Sequence, residues 1–119
     1  MTSYYTSLRY ALDGLFRAFG TERNLQSFGA VYVLSMLLGW FLGLSAREWE
    51  TVIFTGAVFL SIELLNTALE HFTDAFDLHS KSIHTSAIKA TKDIAAGASL
   101  VCATAWGVIL LMIFLPQIY

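Results

Sequence analysis

The chain has 119 residues, room for one domain and too few for two of ordinary size. Hydrophobic residues make up 56% and charged residues 13%, and mean hydropathy is +0.63; this is the composition of a membrane protein, not of a soluble domain. A net charge of −2 argues against nucleic acid or a polybasic surface partner, and the single cysteine, Cys102, excludes an internal disulfide and a thiolate metal cluster.

The opening stretch "MTSYYTSLRYALDGLF" has no basic start, continuous apolar core and small-residue cleavage site, so it does not read as a signal peptide. Its periodicity predicts an amphipathic helix over about 4–23. Leu8, Leu12, Leu15, Phe16 and Phe19 recur on one side, and Arg9, Asp13 and Arg17 form an i,i+4 series on the other that can pair. Such a helix lies in the membrane interface, where it could equally be a plain anchor. A first span is expected over about 27–46, inside the charge-free "NLQSFGAVYVLSMLLGWFLGLSA".

The second span, about 51–73, is less regular. Residues 51–62 are uncharged but too few to cross a bilayer, which takes about 20 apolar residues. The helix must therefore continue through Glu63 and Glu70. A third span is expected over about 93–116, with Pro116 where a helix would stop. Arg9, Arg17 and Arg23 precede the first span, and Lys81, Lys89 and Lys92 lie between the second and third. This asymmetry predicts that the N-terminus and a 73–93 loop face the cytoplasm, with the C-terminus outside.

At about 100° per residue, Asn66, Glu70, Asp74 and Asp77 all fall within about 60° of Glu63 on a continuous helix. They make one polar stripe descending toward the cytoplasm. An acidic group at the bilayer centre costs about 2.5–3.5 kcal/mol, so such residues face protein, water or a ligand. Hydrogen-bonded helix packing would explain one such residue but fits five poorly. Lys89 and Lys92, in "AIKATKDIAAGAS", stand close by. Carboxylates could hold Mg²⁺ through hard oxygens, a lysine could neutralise a phosphoryl group, and a remaining carboxylate could take a proton. The chain has no G-x-x-x-x-G-K-[ST] loop and no protein-kinase signature.

Small residues Ala95, Ser99, Ala103 and Gly107 repeat every four along the third span, and Gly39 and Gly43 form a G-x-x-x-G in the first. Both suggest close helix approach and an oligomer. His71, His79 and His84 have no zinc spacing and read as solvated loop histidines. Trp40, Trp49 and Trp106 suggest interfacial anchors, although Trp40 and Trp106 lie well inside their segments.

"IELLNTALEHFTD" followed by "KATKDIAAGAS", with "SLRYALDGLFRAFGTERN" before them, resembles the prokaryotic diacylglycerol kinase family, which includes the undecaprenol kinases. The resemblance covers nearly the whole chain. It implies an all-α integral membrane fold: three transmembrane helices plus an N-terminal amphipathic interfacial helix, in a homotrimeric bundle with sites shared between chains. It also implies a multi-pass lipid kinase of the bacterial inner membrane, which uses ATP and Mg²⁺ to phosphorylate a lipid alcohol. By that resemblance Glu63 matches the general base and Asn66 a positioning amide. Glu22 and Glu70 match the metal ligands, Lys92 the contact to the transferred phosphate, and Asp93 its partner on the nucleotide side. Asp74 has a supporting role at the nucleotide, and Arg9 joins Glu63 at the lipid substrate.

The "KDIAAGAS" and "TERN" segments look more like the undecaprenol kinase branch, and the 75–91 segment is longer than the family pattern. Undecaprenol is therefore the first expectation and diacylglycerol the second. The rival readings are a proton- or ion-coupled transport subunit and a purely structural membrane subunit.

Overall fold

In the computed structural model, which describes residues 3–80 and 85–119, the chain is four α-helices: α1 (Tyr4–Thr21), α2 (Arg23–Leu42), α3 (Ala46–Ser80) and α4 (Thr85–Ile118). The last three are long and apolar enough to cross a membrane. The first helix starts where Ser3 caps it, its hydroxyl accepting from the Thr6 amide at 3.2 Å. It ends at Glu22, the one residue between α1 and α2, whose extended backbone (φ −98°, ψ 115°) breaks the helical path. Gln26 Nε2 then donates to the Phe19 carbonyl at 3.0 Å, satisfying an acceptor that the end of α1 would leave open. No residue of α1 is buried within the chain, and no ion pair closes among Arg9, Asp13 and Arg17, contrary to the i,i+4 expectation. Exposed pairs of that kind gain too little to hold two long side chains in one geometry.

Gly43 ends α2 in the left-handed conformation (φ 71°), and both its amide and that of Leu44 bond back to the Gly39 carbonyl. Gly39 itself is packed on Leu44 and Trp49 of the same chain, where an added Cβ would approach Leu44 Cδ1 to 2.8 Å. The G-x-x-x-G therefore serves the α2–α3 turn: Gly43 makes the turn and Gly39 lets it fold flat. Ser45 and Glu48 cap α3 reciprocally. The Glu48 amide donates to Ser45 Oγ at 3.2 Å, and the Ser45 amide donates to Glu48 Oε1 at 2.9 Å.

Between Gly56 and Gly97 the sequence contains neither glycine nor proline, so it holds no strong helix breaker. The expected 73–93 loop is accordingly mostly helix, with α3 reaching Ser80 and α4 beginning at Thr85. Pro116 does not end α4 either, for it lies inside the helix, which runs to Ile118. Gln117 Nε2 donates to Glu48 Oε2 at 3.0 Å, tying the end of α4 to the start of α3. The two long helices are thus antiparallel, and their packing is the most extensive in the molecule.

An aromatic cluster joins the three long helices. Phe59 is fully buried, meeting Phe28 edge-on (4.7 Å between centroids) and stacking on Trp106 at 5.1 Å. Tyr32 meets Trp106 edge-on at 6.2 Å and donates its hydroxyl to the Ile53 carbonyl at 2.7 Å. Trp106 is thus a core residue, not an interfacial anchor, while Trp40 is exposed.

Candidate functional site

At 1.5 Å per residue α3 is about 52 Å long, well beyond the roughly 30 Å of bilayer hydrocarbon. Its second half carries the polar stripe, and the partners of that stripe arrive in order from the neighbouring helices. Deepest is Glu63, 4% exposed, which faces the equally enclosed Ser99 of α4 and accepts a hydrogen bond from its hydroxyl on Oε2. One turn on, Asn66 donates from Nδ2 to Glu70 Oε1 at 3.4 Å, and its Oδ1 is buried without a partner. Glu22, at the α1–α2 elbow, reaches across so that its Oε1 lies 2.9 Å from His71 Nε2. Furthest along, Lys92 of α4 donates from Nζ to Asp74 Oδ1 at 2.6 Å. Asp77 continues the same face, exposed.

These four separate pairs set Glu22, Glu63, Asn66, Glu70, Asp74 and Lys92 at successive levels along α3. Two expected residues stand outside this series. Asp93 points to Lys89, whose Nζ donates to its Oδ2 at 2.6 Å, one turn back on α4; a residue adjacent to Lys92 is rotated by about 100° and leaves by another face. Arg9 is exposed on α1 and makes no ion pair among the described residues. His71 is not a loop histidine. It sits on α3 and links the elbow to the site, a role invisible in spacing because its partner is 49 residues away. The His79 side chain and all of His84 lie outside the described residues.

The donor set fits a hard divalent cation, although no group of three or more metal-binding side chains is assembled among the described residues. Glu70 offers carboxylate oxygen beside the unpartnered Asn66 Oδ1, and Glu22 is drawn to the neighbouring residue of α3. Two recesses flank the stripe. A groove of 190 Å³ between α1 and α3 runs from Gly14 and Ala18 to Leu64 and Ala68, with Arg17, Thr67 and His71 as its polar members. A cleft of 270 Å³ opens between α3 and α4 and is lined by Leu69, Phe72, Thr73, Phe76, Ala87, Ile88 and Thr91.

Comparison with known proteins places the chain among named relatives. The model of the family described as prokaryotic diacylglycerol kinase matches residues 9–114. A Bacillus subtilis protein named undecaprenol kinase is 35% identical over 118 residues, covering 99% of this chain and 93% of that protein. A Synechocystis protein named diacylglycerol kinase is 37% identical over 99 residues, covering 83% of this chain and 55% of that protein.

Proposed function

The chain belongs to the prokaryotic diacylglycerol kinase family and is a lipid kinase; from that premise we propose that it transfers the γ-phosphoryl group of ATP to undecaprenol at the cytoplasmic face of the bacterial inner membrane. Diacylglycerol is the alternative acceptor and the second choice. The order is supported by the near end-to-end similarity to the undecaprenol kinase, against partial coverage of the diacylglycerol kinase.

The observation that carries the reading is the depth order of the stripe. A buried carboxylate, Glu63, lies where a lipid hydroxyl can arrive from the bilayer. A cation, Lys92, is held about 16 Å further along the helix on Asp74, where a nucleotide arrives from water. Phosphoryl transfer needs little covalent chemistry from the protein beyond positioning and charge neutralisation. Glu63 takes the proton as the lipid O–H bond breaks. The lipid oxygen bonds to the γ-phosphorus, the bond to the β-phosphate oxygen breaks, and ADP leaves. Lys92 leaves Asp74 to neutralise charge on the arriving nucleotide phosphates, and Asn66 orients the transferred group. Glu22 and Glu70 are the carboxylates that would hold Mg²⁺, which when bound neutralises charge on the nucleotide phosphates.

The same reading places the apolar side of α1, with Leu8, Leu12, Leu15 and Phe16 all exposed, in the membrane interface beside the lipid substrate. Arg9 on that helix meets the lipid head. Three spans leave much of the second half of α3 uncovered, which suits an oligomer; the family resemblance makes that oligomer a homotrimer with each site completed by a neighbouring chain.

Purified protein in mixed micelles with ATP and Mg²⁺ should phosphorylate undecaprenol faster than diacylglycerol, and chelation of Mg²⁺ should abolish both. No phosphorylation of either alcohol, or transfer that survives chelation, would overturn the proposal.

A further inference from the structure

We propose that Ser99 is a positioning residue for the proton acceptor: its hydroxyl holds one oxygen of Glu63 and leaves the other for the substrate hydroxyl. This inference rests on the role given to Glu63 above.

The helices of this chain show what a hydroxyl does by default. Thr51, Thr55, Ser61, Thr91 and Thr104 each donate to the carbonyl four residues earlier on their own helix, at 2.6 to 2.9 Å. Such back-bonding is the ordinary fate of Ser and Thr inside an apolar helix. Ser99 departs from it, crossing the α3–α4 seam to Glu63 Oε2. Among the described residues it is the only hydrogen-bond partner of that carboxylate. Both side chains are nearly enclosed, at 4% and 7% exposure.

An enclosed carboxylate with a single donor has its orientation set by that donor. A hydrogen bond to a charged acceptor is about twice as strong as a neutral one. With Oε2 held against α4, the Glu63 side chain is fixed in one rotamer and Oε1 is presented on the other side. The small residues around Ser99 permit this. Ala95 and Ala103, one turn to either side, offer no bulk to push α4 away from α3. The four-residue stripe therefore has a use within one chain, since it lets a short serine reach a glutamate on the adjacent helix.

The effect should appear in turnover and not in nucleotide binding, because Asp74 lies about three turns beyond Glu63 on α3 and holds Lys92 of α4 there, away from Ser99. A base displaced by an ångström from its attack position loses on the order of 10²-fold in rate. The test compares wild type, Ser99→Ala, Ser99→Thr, Glu63→Gln and the Glu63→Gln/Ser99→Ala double variant. Each is checked first for helicity and for size in detergent. Ser99→Ala should lower kcat by about 10- to 100-fold with KM for ATP within about twofold. Ser99→Thr, which keeps the hydroxyl, should recover most of the loss, and the double variant should be no slower than Glu63→Gln alone. Full kcat in Ser99→Ala, a threonine no better than alanine, or further slowing in the double variant would overturn the assignment of Ser99 while leaving Glu63 as the base. An active Glu63→Gln would instead remove the base, and Ser99 with it.

Discussion

Gly56 offers a direct measure of how tightly α2 is keyed to α3. An added Cβ there would fall under 3.0 Å from Cε1 and Cδ1 of Tyr32 and 3.2 Å from Cζ. The ring cannot simply retreat. Its hydroxyl is bonded to the Ile53 carbonyl at 2.7 Å, and its other edge meets Trp106. Overpacking of this kind costs about 1–3 kcal/mol, and losing the tyrosine hydrogen bond adds about 1 kcal/mol. Against this, alanine is favoured over glycine inside a helix by about 1 kcal/mol. Gly56→Ala should therefore destabilise the protein by about 1–3 kcal/mol net. Denaturant titration in mixed micelles, followed by loss of helicity, would read this directly. The diagnostic arm is a Tyr32→Leu background, which removes the obstructing ring atoms. There the same substitution should become neutral or stabilising, by up to about 1 kcal/mol. A Gly56→Ala protein as stable as wild type, or an unchanged penalty in the Tyr32→Leu background, would refute the argument that the ring occupies the space above the glycine.

Three further outcomes bear on the site. Glu70→Gln keeps the shape of the side chain and a contact for Asn66 but removes the charge; ATP-dependent lipid phosphorylation should fall at least about 100-fold with assembly intact, and full activity would sink its role as a metal ligand. Lys92→Met keeps the stem and removes the ammonium facing Asp74, so kcat should drop by about 10²-fold. Asp74→Asn should have a milder effect, because the lysine remains, and a larger loss in Asp74→Asn than in Lys92→Met would reverse the roles of the pair.

Much of this was legible before any coordinates. A helix that had to cross the bilayer could do so only by carrying Glu63 and Glu70 with it, and the 3.6-residue period then set Asn66 and Asp74 on the same face. The length of α3 and α4 was not legible: the basic residues between the spans pointed to a 73–93 loop, and only the absence of glycine and proline between positions 56 and 97 speaks for continued helix. Contacts that depend on the approach of separate helices were not legible. Spacing along α4 marks Ser99 only as small, and nothing local distinguishes it from Ala95 or Ala103. The pairing of Glu22 with His71 depends on an elbow whose angle is set by packing. Gly39 and Gly43 have the spacing of a helix-dimer motif, yet a left-handed turn uses the same residue for a different reason. Pro116 lies in the last turn, where the remaining bonds of the helix outweigh the one it lacks.

The elbow at Glu22 has a mechanical consequence. A single non-helical residue separates two helices, so the direction of α1 hangs on one pair of backbone dihedrals. The 18 residues of α1 make a rigid arm about 27 Å long at 1.5 Å per residue. A turn of about 10° at its root sweeps the far tip, near Tyr4, through about 5 Å. The side chain at that pivot is the one bonded to His71. Glu22 is thus both fulcrum and tether, and a small change in what its carboxylate grips is magnified along the length of α1.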